Sequence, residues 1–217
     1  MTHWFVGAAV WVVLTGAAAA QDGNAGGLGN GRFVLEDQRV IFDSDYLVGD
    51  LPAELVAEDY DKLRALLRRN PKVETLVLNS GGGSLWAAEE MARLVIDYGL
   101  DTHVVGECSS ACVTVFLAGK ARTMERGSKI GFHKNVWPAA DIKDYYTEWH
   151  GHEDGWNNPY EFASWLYDYA QTEAYNHLIY MLERGVTAEF AIEAERPVTQ
   201  FWYPDRAHLI RGGVLRD

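Results

Sequence analysis

Cysteine is nearly missing from this 217-residue sequence, which holds only Cys108 and Cys112. Basic residues are also scarce: 19 Lys and Arg stand against 31 Asp and Glu, a formal charge of −12, which argues against nucleic acid or an anionic membrane surface as partner. No phosphate-binding loop is present, so nothing points to a built-in nucleotide-driven step. No pair of histidines has helical i, i+4 spacing, and the sparse group His150, His152, Glu153 and Asp154 reads as a solvated loop, so no metal or cofactor is expected. There is no internal repeat and no sign of a second domain. With 48% hydrophobic residues, the chain is long enough for one well-buried domain.

Trp4 to Ala20 is an uncharged apolar run that ends Ala18-Ala19-Ala20-Gln21, the small-residue pattern of a signal-peptidase site after Ala20. The expected organisation is a signal peptide over 1–20, a flexible lead-in over 21–32 and one domain over 33–217. Export then places the mature protein in the periplasm or outside the cell. Met1-Thr2-His3 supplies no Lys or Arg for a positive n-region, and an uncleaved anchor over 4–20 is the rival, though slightly short for a full span. In an oxidising compartment Cys108 and Cys112 can pair around Ser109 and Ser110. The alternative is two buried thiols acting as small hydrophobes.

Along the chain, apolar patterning predicts one or two strands within Phe33–Val48 and an amphipathic helix from Leu51 to the stop at Asn70-Pro71. A buried strand over Val73–Leu78 runs into Asn79-Ser80-Gly81-Gly82-Gly83-Ser84, and a helix is expected over Ala87–Tyr98. Another strand covers Asp101–Val105. Val113–Leu117 reads as strand by propensity or as a wholly buried helix, and periodicity does not separate them. Short strands follow at Arg122–Glu125 and Lys129–His133. Asn135–Asn158, aromatic and acidic by turns, reads as a surface excursion. Tyr160–Glu183 reads as a helix about 36 Å long, and a short helix on Asp205 and a strand or turn at Gly212–Leu215 close the chain. Strands alternating with helices indicate an α/β fold with a largely parallel sheet.

Three stretches carry chemistry. Ser110 lies in a small-residue turn, His133 follows 23 positions later, and the triple glycine Gly81–Gly83 offers backbone amides unobstructed by side chains. A hydroxyl, an imidazole and exposed amides are the parts of an acyl-transfer site, provided the fold brings them together. Each has an ordinary reading alone: a serine that lets a buried helix pack closely, a hydrogen-bonded histidine at a strand end, a tight turn. Lys134 is a weaker candidate base, since adjacent strand residues face opposite ways.

In their order, LNSGGGS (Leu78–Ser84), CSSACVTVFLAG (Cys108–Gly119) and KIGFH (Lys129–His133) resemble the ClpP/crotonase superfamily, and specifically its exported ClpP-like serine peptidases, over Phe33–Leu215. The resemblance implies a ClpP/crotonase-like single domain of repeated strand–helix units with a long C-terminal helix. It implies Ser110 as nucleophile, His133 as base, and the amides of Gly82 or Gly83 and of Ala111 as oxyanion hole. It further implies a peptide or protein substrate bound as an added strand, and a homo-oligomer joined through the helix at 160–183. Three features depart from the family. Gly81 replaces its proline, the family's Asp falls near Pro197, and the aromatic segment is long. Glu195, Thr199 or Asp205 is left to orient His133, or the pair works as a dyad. An ATP-independent periplasmic serine hydrolase is therefore expected; the alternative is a non-catalytic binding or assembly module on the same fold. A crotonase-like acyl-thioester enzyme is a narrower possibility that needs no Ser–His pair.

Overall fold

The structure is a computed structural model that describes residues 31–196 and 201–216. The expected signal peptide therefore lies outside the described residues, and so does nearly all of the lead-in. The elements are β1 (Phe33–Glu36), β2 (Arg39–Asp43), α1 (Ala57–Arg69), β3 (Thr75–Ser80), α2 (Leu85–Tyr98), β4 (Asp101–Ser109), α3 (Ala111–Leu117), β5 (Arg122–Met124), β6 (Lys129–Gly131), α4 (Ala139–Trp149), α5 (Pro159–Glu183), α6 (Ala188–Ala194) and α7 (Arg206–Arg211). Among the described residues no helix is long and apolar enough to cross a membrane.

This is a mixed α/β architecture with a mostly parallel sheet. β1 and β2 form an antiparallel hairpin, after which β2–β3, β3–β4 and β4–β5 all pair in parallel. Besides β3, the nine-residue β4 serves two further partners. Thr102–Val104 pairs with β5, and Glu107–Ser109 pairs with β6. Between these halves stands Gly106 at φ +83°, where a Cβ would meet Asn79 Oδ1 at 2.6 Å. That carbonyl oxygen accepts the Glu107 amide, so the side chain of Asn79 fills the irregular register between β3 and β4.

The core forms where α2 and α3 cover the central strands. Leu76, Leu78 and Val104 from the sheet meet Ala88, Met91 and Val95 of α2 and Val115 and Phe116 of α3, all fully buried. All seven residues of α3 are buried, which settles 113–117 as helix despite its β-branched composition. With no exposed face there is no amphipathic period to read, and burial outweighs propensity. Asn135–Asn158 is also more ordered than a surface excursion. It contains α4, a helix with no buried residue, held by aromatic contacts of Tyr145 with Trp156 and with Trp165 of α5, ring centroids 5.8 and 6.0 Å apart. α1 starts later than expected because Leu51–Val56 is irregular, with a bend at 53–54 and a single bridge residue at Leu55, and the segment Gly212–Leu215 is a turn.

Two buried cations pin this framework. Arg122 donates to Leu117 O, Arg184 O and Gly213 O at 2.7–3.0 Å, tying together the ends of α3 and α5 and the last turn. Burial and the neighbouring Arg216 pull its pKa down to about 10, so it stays cationic at neutral pH. Arg32, at the end of the expected lead-in, is fully buried. It donates to Asp59 Oδ2 at 2.8 Å and to the carbonyls of Pro52 and Glu54. Asp59 accepts the Val56 amide with the same oxygen. The pair thereby fixes Pro52–Val56, the stretch that lies against the glycine turn.

Removing one partner of a buried ion pair leaves an uncompensated charge, a loss of about 3–5 kcal/mol. Asp59→Ala is expected to lose stability on that scale in urea unfolding. A loss under about 1 kcal/mol would show the pair to be dispensable.

Candidate active site

The meeting of Ser110 and His133 follows from strand register. β4 and β6 run in parallel with Ser109 opposite Gly131. One residue beyond the first and two beyond the second are Ser110 and His133, and their Oγ and Nε2 atoms lie 2.6 Å apart. The Ser110 amide donates to Gly131 O at 3.1 Å, so the backbone bonding of the two strands continues into the site. Both side chains are half-buried.

Ser110 is where β4 becomes α3, and its backbone is unusual: φ +54°, ψ −129°. Left-handed φ in a residue with a Cβ costs on the order of 1–3 kcal/mol and persists only where its surroundings enforce it. One enforcing element is covalent. Cys108 and Cys112 form a disulfide with Cα atoms 5.3 Å apart and no exposure, one cysteine in the last part of the strand and the other in the first turn of the helix. Because the chain reverses between them, their Cβ atoms converge, as they would not within one regular helix.

The glycine turn completes the pocket. Gly82 has φ +106°, and a Cβ there would stand 2.6 Å from Ser110 Cβ and 3.1 Å from the Ala111 nitrogen. Gly83 has φ +140° and presses equally closely on Leu55. Leu55 donates to Gly82 O at 2.7 Å and accepts from the Ser84 amide at 2.8 Å, a one-residue parallel bridge that sets the turn. The Gly82 amide is committed to Ser80 Oγ at 3.2 Å, which also accepts from Ser44 Oγ. Of the amides considered from sequence, those of Gly83 and Ala111 have no acceptor among the described residues. Ala111 opens a helix, where an amide has no intrahelical partner.

The residues considered as a third member are engaged elsewhere. Glu195 bonds His177 of α5. Asp205 caps α7 by accepting the His208 amide at 2.7 Å. Thr199 and Pro197 lie outside the described residues. Among the described residues no carboxylate reaches His133, whose ring instead meets the Phe201 ring edge-on, centroids 4.7 Å apart. Phe201 belongs to a segment that sequence reasoning did not connect to the site. Trp202 exchanges two backbone hydrogen bonds with Phe132, at 2.8 and 2.9 Å. Next to it, Tyr203 donates to Glu107 Oε1 at 2.6 Å, and Ser109 Oγ donates to that same oxygen at 2.6 Å. Lys129 pairs with Glu107 Oε2 at 2.7 Å and lies over the Tyr203 ring. This clamp ties the strand that leads into His133 to the segment that carries Phe201. Partners 96 positions apart leave no local signal.

Two outcomes are expected. In the chain-entropy picture a cross-link closing so small a loop restricts the unfolded chain by about 2 kcal/mol. The double variant Cys108→Ala/Cys112→Ala should lose about that much in urea unfolding, and no loss would mean that the turn holds itself. Burial raises the Glu107 pKa, but the hydrogen bonds from Lys129, Ser109 and Tyr203 outweigh it and hold the carboxyl below its ordinary 4.5. A depressed carboxylate contributes stability above its unfolded pKa and loses it as pH falls through the folded value. Stability should therefore fall with acid below pH 4.5 more steeply in the parent than in Glu107→Gln, as read by thermal melts followed through tryptophan fluorescence. Parallel curves would contradict the clamp.

No family model and no curated protein matches the chain. Among solved structures it is similar to a point mutant of ClpP1 from Listeria monocytogenes, with a TM-score of 0.51 and 16% identity over 75% of this chain and 84% of that one. At that identity the likeness shows the fold, which is ClpP-like.

Proposed function

We propose that this protein is a serine hydrolase that cleaves peptides without ATP, with Ser110 as nucleophile and His133 as general base. The observation that carries the reading is the 2.6 Å contact between Ser110 Oγ and His133 Nε2 beside two amides with no acceptor among the described residues. His133 takes the hydroxyl proton as Oγ attacks the scissile carbonyl carbon. The amides of Gly83 and Ala111 receive the oxyanion, and the imidazolium returns its proton to the leaving amine. Water then hydrolyses the acyl-enzyme by the same steps. His133 acts without a carboxylate partner among the described residues, its ring set by Phe201 and by the strand that carries it.

The disulfide supports residence in an oxidising compartment, in keeping with residues 1–20 as a cleaved signal peptide and a periplasmic or secreted enzyme. Retained membrane anchoring through 4–20 is the alternative. Self-association through α5 is part of the proposal. Of its 25 residues only Phe162 and Met181 are buried, and Tyr160, Tyr167 and Tyr175 stand exposed. A second reading, a binding or assembly module on this fold, is favoured by the missing carboxylate partner of His133 among the described residues.

A fluorophosphonate probe requires no knowledge of the substrate. Labelling of the parent, its loss in Ser110→Ala and slowing by about 10²–10⁴-fold in His133→Ala are expected. A folded parent that resists the probe would make the chain a module.

A further inference from the structure

Ser110 and His133 open onto a cavity of about 350 Å³ walled by α2, α3, α5 and the chain that follows β6. Helical spacing decides what lines it. On α2, Leu85, Glu89, Ala92 and Ile96 form one stripe, and on α5 Glu173, His177 and Tyr180 form another. Its apolar wall is continued by Phe132.

Two carboxylates thus share this space with the reacting pair. Neither Glu89 nor Glu173 has a hydrogen bond or ion pair among the described residues, whereas Arg93 and His177 of the lining are already engaged. Arg93 pairs with Glu90, and His177 pairs with Glu195. With those partners included, four carboxylates stand against one guanidinium and the two imidazoles of His133 and His177. The cavity therefore carries surplus negative charge even with both imidazoles protonated. Glu89 responds to this setting: burial first, and then the charge of Glu173, raise its carboxyl above the ordinary value, with Arg93 only partly offsetting them.

We infer that this cavity receives a lysine or arginine side chain of the peptide next to the scissile bond, with Glu89 and Glu173 selecting the cationic head. The inference rests on the hydrolase reading of Ser110 and names its substrate class. Long basic side chains suit such a space, since their methylenes cover apolar wall while the head reaches a charged or wet end. A carboxylate in the pocket beside a nucleophilic serine selects basic residues by the same logic in trypsin. A neutral side chain of equal length would bury there beside two unpaired carboxylates, and discrimination follows from that penalty.

The test uses the full chain carrying Ser110→Ala, so that peptides bind without being cleaved. Two peptides, acetyl-Ala-Ala-Lys-Ala-Ala-amide and its norleucine counterpart, are compared by calorimetry. The lysine peptide should bind about tenfold more tightly, and adding Glu89→Gln or Glu173→Gln should each shrink the ratio at least about threefold. Equal affinity, no binding by either peptide, preference for norleucine, or a ratio unchanged in both glutamine variants would overturn the inference. Because both peptides are compared on the same preparation of each protein, a reduced fraction of folded variant cancels from the ratio. Failure of the hydrolase reading shows separately, as a parent whose Ser110 resists the fluorophosphonate.

Discussion

The reversal of the chain at Ser110 is the constraint from which the rest of the site follows. A strand enters it, a buried helix leaves it, and the serine between them holds a left-handed φ that an L-residue adopts only under restraint. Three restraints converge on it: the disulfide that spans it, the bond from its amide to Gly131 O, and Gly82, which lies too close to Ser110 for any side chain. The sharp turn lifts the hydroxyl out of the sheet and leaves the Ala111 amide pointing away from its own helix. In the proposed reading, loosening that turn would disturb nucleophile and oxyanion donor together, because adjacent residues carry them.

Around this point the protein divides the work of positioning between two supports. On one side the buried Arg32–Asp59 pair fixes Pro52–Val56, Leu55 bridges to Gly83, and the glycine turn is thereby set against Ser110. On the other, Glu107 gathers Ser109, Lys129 and Tyr203, so that Trp202 stays paired with Phe132 and Phe201 stays against His133. Both supports act at a distance from the reacting atoms. The second offers a physical account of a histidine without a carboxylate partner among the described residues: packing and backbone pairing fix the ring's orientation where an ion pair otherwise would. For the proposed hydrolysis the cost of misplacement is steep, since such chemistry depends on alignment at the scale of an ångström.

Much of this was legible in the sequence where the signal was local. The buried run Val73–Leu78 followed by glycines gave β3 and its turn, and the regular spacing of apolar residues gave α2 and α5. Ser110 and His133 were identifiable from the order of three motifs, although their contact depends on the register of β4 against β6, which no local pattern encodes. The helix α3 was ambiguous because a wholly buried element has no polar face to mark its period. The helix α4 was missed for the opposite reason, having no buried face, with aromatic stacking against α5 as its support. The disulfide was undecided because a spacing of four gives no hint that the chain changes from strand to helix midway. Arg32, Glu107 and Tyr203 were invisible as site supports, since each acts on a partner distant in sequence. Glu195 and Asp205 look like candidate acids in sequence, and only their bonds to His177 and to the α7 amide remove them.

The account stands or falls on whether the hydroxyl, the imidazole and the two amides serve a single tetrahedral centre. A crystal structure of the protein after reaction with a peptidyl phosphonate reads this directly. The account predicts one phosphorus bonded to Ser110 Oγ, with its oxygen about 2.7–3.1 Å from the amide nitrogens of both Gly83 and Ala111. A phosphonyl oxygen directed to solvent, or phosphorus bonded to another residue, would contradict it.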